Sequence, residues 1–136
     1  MSDASFPEGL KYTKDHEWAQ KVDGGNGEIV VGITSFAVEQ LGDITLVNFD
    51  VKPGDTVTEG KAFGTIESVK TLSDLFAPVT GKVVRLNADL EGKPELVNED
   101  SYGKGWMIAI APADAAAVDG LLDVKGYAEH VKASAH

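Results

Sequence analysis

Between Glu28 and Ala111 the chain alternates short apolar runs, rich in β-branched residues, with glycine- and proline-containing breaks. This is the pattern of an all-β sandwich or barrel. The candidate strands are Glu28 to Ile33, Ile44 to Phe49, Ala62 to Ser68, Asp74 to Ala77, Lys82 to Leu86 and Trp106 to Ala111. Gly24-Gly25-Asn26-Gly27 predicts a tight turn, because glycine and asparagine tolerate the positive φ of hairpin turns, and Pro53-Gly54 marks another. Thr34 to Leu41 reads as a short helix: Thr34 or Ser35 caps its start, Phe36, Val38 and Leu41 supply apolar contacts, and Gly42 closes it. After Ala111 the composition turns to Ala, Asp and Leu, predicting helices near Asp114 to Leu121 and Val124 to Ala133. These are expected to set Leu121, Leu122, Tyr127 and Val131 against the sheet. The pattern gives one domain over residues 1–136, with a β core at about 11–111 and a helical C-terminal segment at about 112–133.

Composition narrows the function. Of the 136 residues, 43% are hydrophobic and 25% charged, and 12 Lys and Arg stand against 22 Asp and Glu for a formal net charge of −10. Such a surface repels phosphate backbones and anionic lipid, so neither nucleic acid nor a membrane surface is expected as a partner, and basic protein surfaces are favoured. No apolar run approaches the roughly 20 residues that span a bilayer. The N-terminus lacks the basic and apolar regions of a secretory signal. A cytoplasmic protein of bacterial type is expected, with the mitochondrial matrix after processing as the alternative. There is no cysteine, so any sulfur redox chemistry has to be imported.

Enzyme motifs are missing. His16-Glu17 opens like the zinc-protease motif HExxH, but Gln20 stands where the second histidine is required. The three histidines, His16, His130 and His136, are not at metal-ligand spacing. Gly60-Lys61, Gly81-Lys82 and Gly103-Lys104 lack the remainder of a phosphate-binding loop, and Ser68 lacks the flanking glycines of a nucleophile elbow.

Lys70 stands between two strand candidates too short for helices, which puts it in an exposed hairpin turn. By residue type alone it is an ordinary solvated lysine, although a turn tip also gives a modifying enzyme access to the amine. The surrounding residues change that reading. Glu67-Ser68-Val69-Lys70, Ser73-Asp74 and Ala77-Pro78-Val79-Thr80-Gly81 closely resemble the lipoylation site of glycine cleavage H proteins. Tyr12-Thr13-Lys14-Asp15-His16-Glu17-Trp18, Val31-Gly32-Ile33-Thr34, Leu41-Gly42-Asp43, Pro94-Glu95-Leu96-Val97-Asn98 and Gly105-Trp106 follow in that family's order.

The resemblance implies a mainly β, lipoyl-type flattened β-barrel or β-sandwich hammerhead of two antiparallel sheets, with short added helices. It implies a non-catalytic carrier with lipoic acid in amide linkage to Lys70. Its partners would be a pyridoxal-phosphate glycine decarboxylase, a tetrahydrofolate-dependent aminomethyltransferase, dihydrolipoamide dehydrogenase and the lipoyl-attaching enzymes. An imported dithiolane also accounts for the missing cysteine. Glu17 is the implied acidic contact to the protonated amine of the cargo, with Asp15 and Asp74 beside it. At Asp15 the family often has serine, and at Gln40 often histidine. A surface salt bridge is the alternative for Glu17, and turn stabilisation is the alternative for Asp74. His16 is read either as orienting the Glu17 loop or as exposed without a task. Trp18 and Trp106 are expected to support the core around the docking face. The competing functions are a lipoate relay to other lipoylated enzymes and a biotinyl or lipoyl carrier domain of another complex. The latter usually centre on Asp-Lys-Ala or Met-Lys-Met rather than Ser-Val-Lys.

Overall fold

A computed structural model describes residues 6–22, 27–114 and 116–134. The turn expected at Gly24 to Gly27 lies, through Asn26, outside them. Nine strands among the described residues form two antiparallel sheets. The larger is built from β1 (Lys11–Tyr12), β2 (Glu17–Lys21), β3 (Ile29–Ile33), β5 (Thr56–Val57), β8 (Gly81–Leu86) and β9 (Ile108–Pro112), in the order β1-β2-β3-β9-β8-β5. The smaller is β4 (Ile44–Phe49), β6 (Ala62–Ser68) and β7 (Leu72–Phe76), with β6 central. The two sheets face each other without closing into a barrel. They share one core, to which Ile29, Val31, Val83, Ile108 and Ile110 contribute from the larger sheet and Val47, Phe63, Ile66 and Leu75 from the smaller.

Apolar patterning accounts for most of these elements. The predicted strands at Ile44 to Phe49 and Ala62 to Ser68 have the predicted bounds, while the strand expected at Asp74 begins at Leu72. β1, β2 and β5 were not expected. Two are only two residues long, and β2 reads Glu-Trp-Ala-Gln-Lys with a buried glutamate at its head, so none shows alternation.

Helix α1 (Ser35–Leu41) matches its prediction closely. The Thr34 side chain accepts the Ala37 N–H at its start, and Gly42, at φ +81°, gives its N–H to the Val38 carbonyl at its end. Helices α2 (Asp89–Gly92) and α3 (Leu96–Glu99) are single turns beside Pro94, too short to carry a helical period. Helix α4 (Ala116–Asp119) is shorter than predicted, and α5 (Val124–Ser134) runs one residue past its predicted end.

Tyr127 and Val131 of α5 close a second buried cluster with Phe6, Leu10, Tyr12 and Trp18, against which Leu122 packs, whereas Leu121 packs on the main core. Trp18 gives its indole N–H to the Ser101 carbonyl at 2.9 Å. Its ring occupies the space over Gly32, where a Cβ would fall 2.7 Å from the indole. No described helix is long and apolar enough to cross a membrane.

Candidate functional site

Lys70 lies at the tip of the β6–β7 hairpin, exposed and outside both strands. Ser68 builds this turn. Its backbone N–H bonds the Thr71 carbonyl at 2.8 Å, and its hydroxyl accepts the N–H groups of Lys70 at 3.1 Å and Thr71 at 3.2 Å. A hydroxyl that takes two otherwise unpaired turn N–H groups fixes the backbone around the lysine without touching its amine. The neighbouring Val69 gives its N–H to the Asp43 carbonyl at 3.0 Å. The aliphatic stem of Lys70 runs over Gly42, where a Cβ would stand 3.3 Å from Lys70 Cε. The amine therefore ends a stem guided by the α1–β4 turn.

Beside this turn lies a cavity of about 530 Å³. Phe36, Ala37, Gln40 and Leu41 of α1 form one wall, and Ser73 to Phe76 of β7 form another. The loop Lys14 to His16 and Glu17 close the third side. All three sequence-predicted acidic residues line it: Glu17, Asp15 and Asp74. Lys70 itself is not among the lining residues; its stem passes over Gly42, which directly follows the cavity-lining Leu41.

Glu17 is 3% exposed. Its Oε2 accepts the Phe76 N–H at 2.8 Å, and its Oε1 accepts the Thr13 hydroxyl at 3.3 Å. No described cation pairs with it, which overturns the alternative of a surface salt bridge. Burial pushes its carboxyl up to about 8; the Phe76 and Thr13 hydrogen bonds oppose this, and the charge of Asp15 adds to it. Burial thus favours the protonated carboxyl over the ionised one, and no described cation offsets this. Glu17 is a poised group, since a cation entering the cavity favours its ionised form. Asp15 is exposed at the end of the β1–β2 loop. Asp74 lies within β7, opposite Thr65, rather than at the hairpin turn, so it does not stabilise that turn.

The loop is held from beneath. Thr13 Oγ1 accepts the N–H groups of Asp15 and Glu17, each at 3.2 Å. His16 has φ +68°, a left-handed conformation that few residues other than glycine adopt. Its carbonyl accepts the Thr34 N–H at 2.9 Å. Its Nδ1 lies 2.9 Å from the Tyr127 hydroxyl, which is also 2.7 Å from Thr34 Oγ1, the cap of α1. His16 therefore has the loop-orienting position and is not simply exposed. Burial and the adjacent His130 lower its pKa below the ordinary range, against the opposing pull of Asp15.

Trp18 and Trp106 have the expected core role: the buried cluster they share also carries Phe36 of the cavity wall, and neither indole lines the cavity. Glu17 turns toward it, so the next residue along the strand points to the opposite face of the sheet, into the cluster of Tyr12 and Tyr127. Trp106 packs against that same cluster with the Arg85 guanidinium 5.7 Å from its ring. The sequence gives no role at the site to Thr13 or Ser68, and to Tyr127 only a packing role. Thr13 four residues before Glu17 and Ser68 two before Lys70 carried a local signal of side chain to backbone bonding; Tyr127 carried none, because its partners are more than ninety residues away.

Known proteins similar to this chain in sequence and fold are of one kind. Residues 10–134 match the family model described as glycine cleavage H-protein. A glycine cleavage system H protein of Bacteroides fragilis is 52% identical over 130 residues, covering 95% of this chain and 99% of the relative. One from Magnetococcus marinus is 51% identical over 123 residues, covering 90% and 85%. The crystal structure of a glycine cleavage system H protein from Mycobacterium marinum superposes with a TM-score of 0.81 at 37% identity, covering 96% of this chain and 99% of that one. With matches of this extent along nearly its whole length, the chain belongs to the glycine cleavage H-protein family.

Proposed function

We propose that this chain is the lipoyl carrier of the glycine cleavage system, with lipoic acid in amide linkage to Lys70 and the chain itself catalysing none of the reactions. The observation that carries the reading is an exposed lysine on a hydrogen-bonded hairpin tip next to a cavity that buries one carboxyl, Glu17, with no described cation beside it. The residues present fit such an arm: the tip is open to an attaching enzyme, and the bare Cα of Gly42 leaves a trough for the stem. When attached, the group supplies a sulfur pair that takes up the aminomethyl unit of glycine and afterwards returns electrons to an acceptor.

The protein's own part is presentation and shelter. Glu17 gives its proton to solvent when a primary ammonium enters, and the resulting charge-assisted pair holds the cargo amine within the cavity. Asp15 and Asp74 add negative potential at the same cavity. Phe36, Leu41 and Ile66 limit water around the labile linkage. The partners are a pyridoxal-phosphate glycine decarboxylase that loads the arm, a tetrahydrofolate-dependent aminomethyltransferase that unloads it, dihydrolipoamide dehydrogenase that reoxidises it, and the lipoyl-attaching enzymes.

Reconstitution tests the reading. Intact mass should show one lipoyl increment at Lys70 after treatment with a lipoyl-attaching enzyme. The lipoylated protein, added to glycine decarboxylase, should then support exchange of labelled carbon dioxide into glycine. No exchange by fully lipoylated protein, or a biotinyl increment in its place, would overturn it.

A further inference from the structure

The segment Pro94 to Asn98 has no part in the cavity or the hairpin, yet its last residue reaches both through one turn. Helix α3 is fixed from two sides. Val97 is fully buried in the main core, and Gly105 lies so close behind that a Cβ there would stand 2.9 Å from both the Leu96 carbonyl oxygen and Val97 Cα. From this anchored turn the Asn98 amide spans the α1–β4 connection. Its Nδ2 donates to the Gly42 carbonyl at 3.0 Å, and its Oδ1 accepts the Ile44 N–H at 2.9 Å. Between these two contacts is Asp43, whose carbonyl receives the Val69 N–H. Gly42 is the residue over which the Lys70 stem runs.

We infer that Asn98 is a positioning residue for the carrier lysine: its amide clamps the Gly42-to-Ile44 turn into a platform that anchors Val69 and lays the Lys70 stem across Gly42. The side-chain chemistry is specific. An amide supplies one donor and one acceptor on the same short stem, and the turn presents one free carbonyl and one free N–H. Aspartate keeps the Ile44 bond but sets a carboxylate against the Gly42 carbonyl, and alanine keeps neither. With the clamp released, the tip samples orientations in which the lysine is not presented, and the apparent affinity of any enzyme reading it falls with the competent fraction. The inference rests on Lys70 being the attachment site, but the clamp itself can be read in the unmodified protein.

The test uses the full chain with Asn98→Ala and Asn98→Asp. Amide hydrogen exchange on the unmodified proteins should show Val69 exchanging about tenfold faster in Asn98→Ala and less so in Asn98→Asp, with the β3 amides unchanged. In lipoylation assays KM for the carrier should rise several-fold while kcat holds, again with Asn98→Asp between. Wild-type exchange at Val69 together with wild-type KM would overturn the inference. So would equal loss of protection at Val69 and in β3 in both variants, which is the behaviour of a merely structural residue. If instead the wild-type protein cannot be lipoylated at Lys70, the carrier reading fails while the Val69 result still reports on the clamp.

Discussion

Glu17 Oε2 and the Phe76 N–H are 2.8 Å apart, and this one bond joins β2 of the larger sheet to β7 at the edge of the smaller. It occupies a backbone donor near the end of an edge strand and holds the carboxyl at the cavity wall. The same residue is thus a strut and a candidate binding group. These functions conflict energetically, because a buried carboxyl without a cation resists ionisation.

That conflict predicts a pH dependence. Glu17 binds its proton more tightly folded, up to about 8, than unfolded, near the usual carboxylate range. Its contribution is therefore least unfavourable below the unfolded pKa, and stability falls as pH rises toward 8, levelling above it. Glu17→Gln, which keeps an acceptor for Phe76, should remove this loss and gain several kcal/mol over wild type at alkaline pH, roughly 5 at most, with little gain at pH about 4. His16 runs the other way: its lowered pKa costs stability as pH falls through the unfolded histidine range. The difference between variant and wild type in urea titrations across pH isolates Glu17, and a pH-independent difference would contradict the assignment.

The sequence revealed these parts unevenly. β4, β6 and α1 were legible because apolar period, a threonine cap and a closing glycine all agreed. β2 was hidden by the residue that matters most there, since a glutamate at a buried strand position breaks the alternation on which recognition depends. The site residues Lys70, Glu17, Asp15 and Asp74 came from resemblance rather than from pattern, and the structure brings the three acids to one cavity. What the sequence could not convey was long-range closure. The contacts of Tyr127 with His16 and of Asn98 with Gly42 join segments whose pairing only the folded chain defines.

Lys70→Arg should leave the fold intact and abolish lipoylation. The side chain is exposed, and the turn is held by Ser68 and Asp43, neither of which uses the amine. A guanidinium keeps the charge but is a poor nucleophile at neutral pH. Unfolding free energies from chemical denaturation should agree within about 0.5 kcal/mol, and intact mass should show no increment. Lipoylation of the variant would move the attachment site elsewhere.

Gly42→Ala should destabilise by about 1–3 kcal/mol, because φ +81° is strained for any residue with a Cβ. The contact with Lys70 Cε is a minor part of this cost, since the end of a flexible stem can move aside. Chemical denaturation measures the loss. A shortened trough should also lower the lipoylation rate, and a fully stable variant would show that the turn relaxes without penalty.

Tyr127→Phe separates packing from hydrogen bonding in the C-terminal helix. The ring is fully buried and stacks on Tyr12 at 4.7 Å with the planes 8° apart, contacts that phenylalanine retains. Only the hydroxyl is lost, and with it the partner of His16 Nδ1 and a contact of the fully buried Thr34. Leaving these polar groups short of a partner costs about 1–3 kcal/mol. Because Thr34 caps α1 and its N–H bonds the His16 carbonyl, the loosening should be felt first at the cavity. The Thr34 amide should exchange faster than in wild type, while the amides of β6 at the far wall are unchanged. Uniform acceleration through both sheets would instead mean that the hydroxyl stabilises the whole molecule and has no particular hold on the His16 loop.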